Sequence, residues 1–76
     1  MEIKEAFGQV LRDFRTEAGF SQERLALECD LDRTFISLLE RGKRRATLDT
    51  VFALAATLEV TPVQMVEETS RLMQTD

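Results

Sequence analysis

The sequence predicts an all-α fold, a compact five-helix bundle, from three observations. Apolar residues recur at three- and four-residue spacing along most of the chain. Residues suited to starting and stopping helices punctuate that pattern at short intervals. No segment makes a convincing strand. The 76 residues amount to one small domain spanning 1–76. A chain this size buries only about 60% of its unfolded surface, so its core is thin and partner chains often help.

Ile3, Phe7, Val10, Leu11 and Phe14 share one face of the first helix, and Gly19 is suited to its left-handed stop. Gly8, in the interior of that helix, costs about 1 kcal/mol relative to alanine. It marks either a close helix contact or a tolerated glycine. Ser21 caps a second helix, in which Leu25, Ala26 and Cys29 face inward. Asp32 caps a third, with Ile36 and Leu39 toward the core and Gly42 at its end. Thr47 caps a fourth, carrying Leu48, Val51, Phe52, Ala55 and Leu58 at helical spacing. Thr61 and Pro62 open a fifth, proline being suited to a first turn. Val63, Met65, Val66, Thr69, Leu72 and Met73 follow, and Gln74–Asp76 is expected to fray. Apolar residues on more than one side of this last helix suggest a homodimer surface made of Met65, Val66, Thr69, Leu72 and Met73.

Composition narrows the function. There is no histidine and a single cysteine, Cys29, so zinc sites and the common nucleophile–base pairs cannot be assembled. Neither metal nor cofactor is expected, and an enzyme is not expected. Cys29 reads as a small buried hydrophobe. No apolar run approaches membrane-spanning length and the N-terminus lacks a signal-peptide pattern, so a cytoplasmic protein is expected, with no membrane partner.

The gap between the second and third helices is very short. A turn of three or four residues makes two helices cross steeply, as in a helix-turn-helix. Such a crossing needs a small side chain at the contact, and Ala26 supplies it. The turn needs a residue tolerant of positive φ, and Asp30 visits that region more readily than most. Residues 20–61, from SQERLA through LDRTFIS and ERGKRR to LDTVFALAATLEVTP, resemble the Cro/repressor-type helix-turn-helix family, whose members share the lambda-repressor-like DNA-binding domain. LDRTFIS followed by ER is especially similar to the controller proteins of restriction–modification systems. Family members usually carry glycine where this chain has Asp30.

The resemblance implies that the third helix enters a DNA major groove, N-terminal end first. The residues there suit that role. Arg33 presents a fork of donors that matches the two acceptors on a guanine edge. Thr34 can bond a base or a phosphate, Phe35 can offer apolar surface to a thymine methyl, and Ser37 is a shorter-range contact. Gln22 resembles the family's phosphate-contacting glutamine. Ser21 beside it, and Arg41, Lys43, Arg44 and Arg45 around the helix exit, are the remaining phosphate candidates. Arg15 and Glu40 occupy positions where the family often has a buried salt bridge.

The charge distribution agrees with this reading. Residues 31–48 hold five positive and two negative side chains, a net of +3, whereas the remainder holds five and twelve, a net of −7. Only one face attracts DNA, so binding should depend strongly on salt. The expected function is a transcriptional regulator that binds a near-palindromic double-stranded operator as a homodimer, with half-sites about one helical turn apart. No small-molecule ligand is expected. RNA polymerase is a further candidate partner, through the acidic patch of Glu23, Glu28 and Asp30. The alternative is an antitoxin that masks a toxin and binds DNA secondarily.

Overall fold

A computed structural model describes residues 1–74. The elements run α1 (Ile3–Glu17), α2 (Gln22–Cys29), α3 (Arg33–Glu40), α4 (Leu48–Leu58) and α5 (Pro62–Met73). Helix α1 lies against α3 and α5, α2 against α3 and α4, and α4 against α5. Leu11, Leu25, Ile36, Leu39, Leu54 and Met65 are the large side chains sealed at the centre.

Local chemistry sets the boundaries. Ser21, Asp32, Thr47 and Thr61 each accept a backbone amide in the first turn of the helix that follows. Thr61 and Gln64 form a reciprocal capping box. Glu2 and Glu5 do the same at the start of α1, where no cap was anticipated. Helices α1 to α4 all close with the same long bond, in which the amide just after a left-handed residue reaches back five residues: Phe20 to Arg15, Leu31 to Ala26, Lys43 to Leu38 and Val60 to Ala55. This closure needs one residue at positive φ. Gly19 and Gly42 supply it twice, and Asp30 (φ 56°) and Glu59 (φ 58°) supply it without the freedom of glycine.

Gly8 marks a close approach. A Cβ there would lie 2.9 Å from the Glu40 carbonyl oxygen and closer still to that of Leu39. The missing side chain lets the C-terminal turn of α3 rest directly on α1.

Helical spacing did not decide which apolar residues turn inward. Ile3, Leu48, Phe52 and Val63 are each more than half exposed, and Val66, expected at a surface, is exposed as well. Leu54, which the periodicity did not single out, is sealed in the core instead. Met65 is fully buried inside the protomer, so it cannot form a dimer surface; Thr69 is 8% exposed and borders the groove beside Val66. The Thr69 hydroxyl donates to the Met65 carbonyl one turn back, which satisfies its burial. Leu72 and Met73 are half-buried. Gln74 is the cap of α5, and Thr75 and Asp76 lie outside the described residues. Cys29 is half-buried, and its thiol donates to the Thr57 hydroxyl across the α2–α4 seam at 3.2 Å. No described helix is long and apolar enough to cross a membrane.

Candidate nucleic-acid interface

Helix α3 is eight residues long and amphipathic. Ile36 and Leu39 anchor it in the core, so its opposite side must face outward. Asp32 fixes the start, its Oδ1 accepting the Thr34 amide at 2.7 Å. Arg33 and Thr34 are therefore held at a rigid helix start with exposed side chains. Phe35 departs from its expected exposure: it is half-buried and packs against the core. At about 100° per residue it lies on the flank of the Ile36–Leu39 stripe, on the Leu39 side. Ser37 and Leu38 are also half-buried. The surface free to reach a base edge is thus concentrated in the first turn.

The exit of α3 carries the cationic rim. Arg41, Lys43, Arg44 and Arg45 are all exposed. Arg41 folds back, its Nε donating to the Ser37 carbonyl at 3.4 Å, which offsets the negative end of the short helix. Arg45 lies along a groove with Lys4, Ile3, Phe7, Val51 and Val66, so it borders the apolar face as well as the rim.

Behind the rim sits an ionic cluster that joins three helices. Arg15 of α1 grips Glu40 at the end of α3 with two bonds, Nε to Oε2 at 2.5 Å and Nη2 to Oε1 at 3.0 Å. Its Nη1 donates to the Phe20 carbonyl in the α1–α2 turn at 2.8 Å. The hydrogen bond to Glu40 holds the Arg15 guanidinium above its ordinary pKa, against the opposing pull of burial. The Glu40 side chain is only 4% exposed, so losing Arg15 alone would strand a buried charge, at a cost of roughly 3–5 kcal/mol.

Gln22 is half-buried and its Nε2 also donates to Glu40 Oε1, at 3.0 Å. Ser21 is exposed, its Oγ accepting the Arg24 amide. The position of Arg24 was not anticipated. It stacks 4.0 Å over the Phe20 ring and pairs with Glu28, which reduces the negative patch on α2 to Glu23 and Asp30. An arginine four residues before a glutamate was the available signal for that pair.

Away from α3, the exposed Ile3, Leu48, Phe52, Val63 and Val66 lie along one stretch of surface. Two adjoining grooves share Val51 and Val66. One runs past Ile3 and Phe7, the other past Leu48, Phe52, Pro62 and Val63.

The relatives have this architecture. A helix-turn-helix family signature matches residues 11–65. The control protein C.BamHI of Bacillus amyloliquefaciens is 42% identical over 69 residues, covering 90% of this chain and 85% of that protein. The restriction–modification controller protein C.AhdI of Aeromonas hydrophila superposes with a TM-score of 0.79 at 40% identity, over 82% of this chain and 94% of its own. The controller C.Esp1396I in a nucleoprotein complex superposes with a TM-score of 0.86 at 30% identity, over 100% of this chain and 99% of its own. The chain belongs to the Cro/repressor-type helix-turn-helix family and is similar within it to the controller proteins of restriction–modification systems.

Proposed function

We propose that this protein is a non-enzymatic, cytoplasmic transcriptional regulator that binds a near-palindromic operator as a homodimer. The observation that carries the reading is the exposed pair Arg33 and Thr34 at the capped start of α3, beside the rim of Arg41, Lys43, Arg44 and Arg45. Arg33 reads a base, Thr34 a base or phosphate, and Phe35 and Ser37 contribute from the flanks of the helix. Ser21, Gln22 and the rim hold the DNA backbone and set the register. The similarity to control proteins favours the regulator over the antitoxin alternative. If the protein also recruits RNA polymerase, the exposed Glu23, Leu27 and Asp30 on α2 are the available surface.

The second copy covers the apolar face built by Ile3, Leu48, Phe52, Val63 and Val66. A two-fold interface presents the same patch from both protomers. A chain with so thin a core gains from burying it. Val66 is common to this face and to the surface expected from the sequence, and Met65, sealed in the core, drops out of it.

Selection of bound fragments from random DNA, followed by sequencing, tests the reading. The expected result is an inverted repeat with half-site centres about one helical turn, roughly 10 base pairs, apart. Recovery of fragments with no common sequence would contradict it.

A further inference from the structure

The exposed apolar face is polarised in charge. Its two grooves share Val51 and Val66, which mark the line between them. The groove on the α1 side, about 300 Å³, is edged by the cations Lys4 and Arg45. The groove on the other side has Glu67 as the one charged residue of its lining. Arg45 and Glu67 are exposed, and among the described residues neither pairs with a charge in its own protomer. Phe52, 60% exposed, is the bulkiest exposed apolar side chain of the face, and it belongs to the Glu67 groove alone.

A second copy can cover this face in two registers. The two-fold axis of such a contact lies in the plane of the interface, so each residue meets the position reflected across that axis. With the axis set across the Val51–Val66 line, each groove would face its own kind. Lys4 and Arg45 would confront Lys4 and Arg45, and Glu67 would confront Glu67. Like charges brought together in this way oppose association. With the axis set along the line, each groove faces the other kind. The cationic edge then meets the anionic edge twice, and each Phe52 is carried to the groove that holds Ile3 and Phe7.

We propose that two copies dock with their grooves exchanged: Phe52 enters the groove edged by Lys4 and Arg45 of the partner subunit, and Arg45 pairs with Glu67 of the partner subunit, twice per dimer. The inference rests on the homodimer reading above and assigns its register. The ion pairs lie at the edge of the apolar contact, where opposite charges select a register more than they add affinity. Arg45 also ends the cationic rim that follows α3. The same contact therefore fixes the rotation between protomers and, with it, the separation of the two α3 helices.

The test uses the full chain. Arg45→Glu and Glu67→Arg are made singly, checked for folding by circular dichroism, and examined alone and as an equimolar mixture by sedimentation equilibrium at low salt. In a dimer of either variant alone, both edge contacts become like-charged. In a mixed dimer, both are opposite again. Each variant alone should dimerise about tenfold more weakly than wild type, the scale of two exposed ion pairs. The mixture should return to the wild-type affinity. A mixture that associates no more tightly than its components overturns the exchanged register. Should either variant fail to fold, the neutral Arg45→Gln, Glu67→Gln and their double variant decide. A shared pair requires the double variant to lose no more than the worse single one, and additive losses overturn it. Charge variants that all dimerise as wild type does, while Phe52→Asp is monomeric, overturn this register alone. A wild type that stays monomeric overturns the homodimer reading with it.

Discussion

Replacing Gly8 with alanine separates two opposite expectations. In an exposed helix interior, Gly8→Ala should stabilise by about 1 kcal/mol, because glycine pays the larger entropy on folding. Here the added methyl group would meet the Leu39 and Glu40 carbonyl oxygens, the latter at 2.9 Å, with the Glu40 carbonyl carbon at 3.1 Å. An unstrained carbon–oxygen contact is about 3.3 Å or longer. All three obstacles are backbone atoms, so no side chain can rotate away and α3 must move off α1. Overpacking of this kind costs about 1–3 kcal/mol, and a backbone obstacle puts the cost at the upper end. Set against the propensity gain, the net is a loss of about 2 kcal/mol, or roughly 10 °C in Tm for a domain of this size. Urea unfolding followed by far-UV circular dichroism, at fixed protein concentration, measures it. A variant more stable than wild type would refute the close-contact argument. A weaker grip on operator should accompany the loss, since the displaced helix is the one that bears Arg33.

Other consequences are equally direct. Phe52→Asp puts a charge into the exposed apolar face without touching the core; sedimentation velocity should show a dimer for wild type and a monomer for the variant, and an unchanged dimer would move the interface elsewhere. Glu59→Gly relieves a left-handed residue at the end of α4 and should raise stability by about 0.5–1 kcal/mol in thermal unfolding, the left-handed penalty exceeding the entropy glycine adds to the unfolded chain. Arg44→Ala should weaken binding to all DNA sequences and lower the slope of log affinity against log salt by about 1, and an unchanged slope would remove Arg44 from the phosphate contacts.

The fold was legible where a residue has one use. Ser21, Asp32, Thr47 and Thr61 are good helix caps and each of them caps. Gly19 and Gly42 are good left-handed closures and each of them closes a helix. Glu59 could not be foreseen as a left-handed residue, because nothing in a glutamate side chain favours that conformation. Face selection failed in α4 and α5 for a different reason. LDTVFALAATL is apolar nearly all round, so its periodicity does not decide between Leu54, which is buried, and Phe52, which is not. In α5, Met65 and Thr69 turn inward one helical turn apart, while Val63 and Val66 face out. Only packing against α1 and α4 makes that choice. Within the interface, the exposed start of α3 followed from a cap, an apolar stripe and a short turn. The half-burial of Phe35 did not, because a side chain on the flank of an eight-residue helix is decided by its tertiary neighbours. The bond from Gln22 to Glu40 joins residues 18 apart on different helices, and no local pattern announces it.

The most direct measurement is the ratio of operator affinity to random-DNA affinity for wild type and Arg33→Ala, taken at one salt concentration. If the start of α3 reads bases, the variant should lose about 1–3 kcal/mol on operator and little on random DNA, and should relax preference at one base pair per half-site. An equal loss on both DNAs would make Arg33 a backbone contact and leave the exposed start of α3 without its assigned role.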